Sequence, residues 1–244
     1  MAFASVFDAA GFRSQAADIA DLVDRGEYHS LKEAAILAVE DAGRVCITRG
    51  GAFDNLELPL VRHGASCAPK PEEIRSNSNP SSADIGFWFL WVLGSHLHGV
   101  PVHFGCGIWL WTVLGRLGVP EEIAALLGHG RHNGLLVKPD GCWPQTRFAE
   151  LSDPYWKWMT MRNAYSGWMS ADEAADLKAS LDSISDEAIS DFDISIIPNI
   201  DYDNPVVVRE IRESVPCEFR MLKNICGLAV DKGYGLFTST IFWN

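Results

Sequence analysis

Apolar residues recur at helical spacing along most of this chain and alternate in only a few short runs. The clearest stripe lies near the C-terminus, where Phe219, Leu222, Ile225, Cys226 and Ala229 share one face of a helix over 217–231. That is the three- and four-residue spacing of a helix that buries one side. Gly233 supplies its stop, and Asn204-Pro205 opens a helix ahead of it, a capping side chain followed by a first-turn proline. Ser170 and Glu173 form the S-x-x-E box that starts a helix over ADEAADLKASL, and Ser30 and Glu33 form another at the head of SLKEAAILAVEDAG, with Gly43 as its stop. Ser14 is placed to cap a helix running to Asp24 and ended by Gly26. Period-two alternation marks RVCITR, where Val45 and Ile47 alternate with Cys46 and Thr48, and the C-terminal YGLFTSTIFW. LELPLVRH is a weaker strand, suited to an edge by Pro59.

The middle of the chain is different. From Ile85 to Gly115, 31 residues pass without an Asp, Glu, Lys or Arg. That exceeds the roughly 20 apolar residues that cross a bilayer, but GSHLHGVP divides the run into halves too short to span. The pattern therefore predicts two buried helices, one over ADIGFWFLWVLGSHL capped by Ser82 and one over 104–117. They form a Trp-rich hairpin around Trp88, Trp91, Trp109 and Trp111. VPEEIAALLG reads as a short third helix, HGRHNGLLVKPDGCW as turns, and DPYWKWMTMRNAYSG as helical. Ser, Pro and Asn crowd residues 64–82, the signature of a long loop or linker. The expected fold is α+β, mostly helical, with a small sheet using strands near 44–49 and 234–243. The expected organisation is an N-terminal α/β region over 1–64, a loop or linker over 65–82, and a helical region over 83–244 with a C-terminal strand. The two regions are expected to pack as one domain.

Charge changes the functional picture more than composition does. The net charge is −12, which argues against nucleic acid or an anionic membrane as partner, since both call for a basic face. The six cysteines (Cys46, Cys67, Cys106, Cys142, Cys217 and Cys226) include no C-x-x-C pair. Asp8 interrupts an N-terminus that has no basic segment ahead of an apolar one. Reduced thiols in a cytoplasmic protein are the simplest expectation.

Two regions offer candidate chemistry. In HLHGVPVHFGC, His96, His98, His103 and Cys106 fall close together, and imidazole and thiolate are both zinc ligands. On a strand, H-x-H presents both rings to one face; on a helix, residues two apart point about 200° apart and cannot share an ion. No closed zinc spacing completes the set, so no metal or cofactor is assigned. Cys106, near a helix start, is also a candidate nucleophile, with His103, His129 or His132 as base. Arg131, between His129 and His132 in HGRHNG, reads more simply as a solvated turn than as an anion site. There is no G-x-S-x-G, H-E-x-x-H or G-x-x-x-x-G-K-[ST], and no catalytic residue is assigned.

The second region is the strongest non-random feature of the chain. Residues 172–203 carry ten carboxylates against one cation, Lys178. DYDN lacks the residue order of a calcium loop. Concentrated charge of one sign steers association with an oppositely charged partner, so Asp182, Asp186, Glu187, Asp191, Asp193, Asp201 and Asp203 are the expected partner-binding residues. The functional expectation is a cytoplasmic protein that neutralises or regulates a basic protein partner, concretely a bacterial immunity-type protein against a toxin. The alternative is a zinc-assisted or Cys/His hydrolase using residues 96–106 and 129–132.

Overall fold

A computed structural model describes residues 2–48, 70–104, 107–124, 164–197 and 200–241. The fold is α+β, mostly helical with a small sheet. The chain divides into two units, one of Met1–Phe7, Val102–His132 and Asn163–Asn244, the other of Asp8–Pro101 and Asn133–Arg162. Among the described residues no helix is long and apolar enough to cross a membrane.

The first unit is organised by a sheet whose β2 strand belongs to it from Val102 onward. Strands β1 (Ala2–Phe7), β2 (Leu97–Phe104), β3 (Ala164–Met169) and β4 (Gly235–Ile241) lie in the order β2-β1-β4-β3, and β4 pairs antiparallel with both neighbours. The register sets Val6 and Met169 on either side of Leu236, and Ser5 and Trp168 on either side of Phe237. Because side chains alternate along a strand, Ala4, Val6, Leu236 and Met169 share the face that joins the main core. The opposite face is buried as well: Ser5, Phe7, Trp168 and Phe237 are all at most 3% exposed, and the Phe7 and Phe237 rings meet edge-on at 5.9 Å.

Helices α5 (Gly107–Arg116), α6 (Ala171–Asp182), α7 (Asp186–Ser190) and α8 (Pro205–Lys232) belong to this unit. At 28 residues, α8 is about 42 Å long at 1.5 Å per residue. The Asn204 side chain accepts a hydrogen bond from the Val206 N–H at 3.1 Å, and Pro205 occupies the first turn, where its missing N–H costs nothing. Ile211, Val215, Phe219, Leu222, Ile225, Cys226 and Ala229 form its buried stripe. Gly233, at φ 67°, ends it, and the Tyr234 N–H returns to the Ala229 carbonyl at 2.9 Å. Pro216 removes one donor from the ladder, the one that would serve the Arg212 carbonyl. In α5, Leu110, Trp111, Val113 and Leu114 join the same core, with the Phe104 ring 5.6 Å from Trp111.

The second unit is helical. In α1 (Ala9–Asp24), Phe12, Ala16, Ile19, Ala20 and Val23 are buried at helical spacing, and Gly26 (φ 78°) ends the helix, with the Glu27 N–H donating to the Leu22 carbonyl. Leu31, Ala35, Ile36 and Ala38 of α2 (His29–Thr48) are buried, and this helix packs against α4 (Ser82–Ser95). Lys32 of α2 holds two neighbours at once. Its ammonium donates to the Asn77 carbonyl, just beyond α3 (Pro71–Ser76), and lies 5.7 Å from the Trp88 ring centre of α4.

Several expectations are corrected. The helix expected from Ser14 begins at Ala9, because Asp8 is the cap and accepts the Gly11 N–H at 2.8 Å. Ser30 lies inside α2, which starts at His29, and the helix continues through Gly43 to Thr48, so residues 44–48 of the strand expected at 44–49 are helix. Glycine weakens a helix interior but stops one only in the left-handed conformation, and a four-residue apolar alternation does not separate helix from strand. Residues 71–76 of the expected loop form α3, with Pro71 in its first turn and Ile74 buried. The cap of α4 is Ser81, boxed with Asp84, rather than Ser82. Between the two apolar helices the expected turn is β2, where valines favour a strand and an edge position tolerates Pro101. Ala164–Gly167, expected as the end of a helix, begin β3. Trp88, Trp91 and Trp111 are buried. The two helices of the expected hairpin fall in different units, and the Trp109 side chain lies outside the described residues. So do LELPLVRH and all of DPYWKWMTMRNAYSG before Ala164.

A methyl group on Gly235 would stand 1.9 Å from the Met169 carbonyl oxygen, which is backbone and cannot swing away. Gly235→Ala should lower the unfolding free energy by at least about 1–3 kcal/mol, the range for overpacking. A urea midpoint equal to that of the wild type would contradict the β3–β4 register. Trp88→Ala should cost about 3–5 kcal/mol in the same measurement, as large aromatic truncations in cores do. A cost below about 1 kcal/mol would place Trp88 on a surface.

Candidate functional site

The acidic stretch is folded onto the core rather than trailing from it. Ile184, Ile189, Phe192 and Ile197 are buried in the cluster that holds the α8 stripe. They alternate with the charged residues, so each anchor turns its neighbouring carboxylates outward. Local caps fix the backbone between anchors. Ser170 Oγ accepts the Glu173 N–H at 3.2 Å while the Glu173 carboxylate accepts the Ser170 N–H at 2.8 Å, starting α6 as the sequence predicts. Ser185 Oγ accepts the Ala188 N–H at 3.1 Å and starts α7, with Asp186 and Glu187 in its first turn, where the helix dipole favours negative charge. The Asp193 carboxylate takes both the N–H and the hydroxyl of Ser195, at 2.9 and 2.7 Å, opening the 3-10 turn Ile194–Ile196. The Tyr202 hydroxyl donates to the Ile197 carbonyl, and Asp201 accepts the Asp203 N–H at 3.2 Å.

The seven expected partner-binding residues are all exposed, and the structure divides them by partner. Asp182 is engaged by two cations: Lys178, one turn back on α6, and Lys223 of α8 at 3.1 Å. Hydrogen bonds from Lys178 and Lys223 hold its carboxyl below the usual aspartate range, and Asp182 in turn holds Lys178 above the usual lysine range. Asp193 is also held low, first by its Ser195 hydrogen bonds and then by the charge of Arg212 on α8. Asp186, Glu187, Asp191, Asp201 and Asp203 form no ion pair with any described residue. Lys223 and Arg212 lie outside the acidic stretch in sequence. Only the α8 periodicity, which places both on the helix that packs beside α6 and α7, could have indicated them.

His96 sits at the C-terminal cap of α4. Its Nε2 lies 2.7 Å from Gln15 Oε1 and donates to it, its Nδ1 lies 3.8 Å from Asp8 Oδ2, and its ring meets Phe12 edge-on at 5.7 Å. The Asp8 N–H donates to the His96 carbonyl at 3.0 Å. The ring thus ties the end of α4 to the first turns of α1. Burial lowers its pKa below the ordinary histidine value, against the pull of the Asp8 carboxylate; the nearby His98 charge pushes the same way as burial. His98 lies on β2, so the two rings are not a strand pair. Among the described residues no three His, Cys, Asp or Glu side chains are placed to hold a metal ion. The side chains of His103 and Cys106, and residues 129–132, lie outside the described residues. Of the described cysteines, Cys217 is exposed and Cys226 is buried, its thiol pushed up to about 12 by burial.

No family model matches the chain, and no curated protein or solved structure does either.

Two outcomes follow from this geometry. The folded state favours neutral His96, so the unfolded chain binds more protons once pH falls below about 6.5. The stability that neutral His96 contributes is present above that pH and lost as pH falls through the lower folded value. The unfolding free-energy difference between wild type and His96→Gln should therefore shrink from about pH 7.5 to about pH 5. A difference that grows on acidification would mean that the Asp8 ion pair outweighs burial. In peptide-resolved alkylation of the native protein, Cys217 should be modified while Cys226 stays protected until unfolding, since the thiolate is the reactive form. Comparable labelling of both would contradict the packing of α8.

Proposed function

We propose that this chain is a cytoplasmic protein-binding protein that neutralises or regulates a basic protein partner, in concrete form a bacterial immunity-type protein against a toxin. The observation that carries the reading is the set of five exposed carboxylates, Asp186, Glu187, Asp191, Asp201 and Asp203, that form no ion pair with a described residue. They are held by buried anchors on either side. Charge fixed in place on an ordered backbone does not have to be ordered when a partner arrives, which lowers the entropic cost of association. It also steers encounter, raising association rates by about 10–10³ when the partner carries the opposite sign. Asp182 plays a different part in this reading. Its two lysines already neutralise it, so it joins α6 to α8 and contributes little to the outward field. Reduced thiols at Cys217 and Cys226 suit the proposed compartment.

The test is association kinetics with the protein that co-purifies from the native host, at low and physiological ionic strength. The triple variant Asp186→Asn/Glu187→Gln/Asp191→Asn should associate about tenfold more slowly at low salt. It should also show a flatter salt dependence, because the Debye length shrinks to about 8 Å at physiological ionic strength. Melting temperature should change little, since exposed carboxylates contribute little to stability. Asp182→Asn should leave the association rate near that of the wild type. Equal rates for wild type and triple variant at low salt would reduce the acidic stretch to an ordinary solvated face.

A further inference from the structure

We draw no further inference here: the strongest candidate, the exposed carboxylates of α7 and of the turn at Asp201–Asp203, belongs to the surface already described, and no second feature of the described residues points to a ligand there.

Discussion

Burial of one face of α8 is the constraint on which the first unit depends. Its stripe from Ile211 to Ala229 meets the inner face of the sheet, the apolar side of α6, and the anchors Ile184, Ile189, Phe192 and Ile197 in a single cluster. Five of its residues are Ile, Val, Phe or Leu, each contributing about 1.5–3 kcal/mol on full burial. Together that is comparable with the whole net stability of a typical domain, about 5–15 kcal/mol. The acidic stretch has no stripe of comparable length. It is ordered because its anchors reach a core that α8 has already filled.

The same helix sets the charge pattern of the surface. Lys223 of α8 reaches Asp182 at 3.1 Å, and the charge of Arg212 on the same helix helps hold the Asp193 carboxyl low. Among the described residues, the carboxylates left without an ion pair include those of α7, Asp191 and the turn before Asn204. The run's ion-paired carboxylate, Asp182, is met by Lys178 within the run and by Lys223, a cation that the run does not contain. Each paired carboxylate, being exposed and screened, does little for stability. The consequence lies in where the unpaired charge is left.

Much of this architecture is written in local chemistry. The Ser170–Glu173 box, the Asn204-Pro205 start, the α8 stripe, the Gly233 stop and the last strand all depend on residues within a turn or two of each other, and all stand in the structure. What was not legible depends on distant partners. Strand β1 pairs with β4 at the other end of the chain, and its short run of Ala, Ser, Val and Phe has no strand signal strong enough to read alone. RVCIT alternates like a strand but continues α2, for no local feature separates the two. At the candidate surface the carboxylates are visible and the cations that act on them are not, since Lys223 meets Asp182, and the Arg212 charge acts on Asp193, only through the packing of α8. Likewise the His96 ring was visible, but Gln15, Asp8 and Phe12, which decide what it does, come from the start of α1.

In the proposed reading, residues of α7, Asp191 and the Asp201–Asp203 turn meet a basic protein. Hydrogen–deuterium exchange on the chain alone and in complex with its co-purified partner tests it most directly. Backbone amides over 183–203 should gain protection on binding, and the gain should weaken as salt is raised. Protection confined to other segments, with 183–203 exchanging at the same rate free and bound, would contradict it.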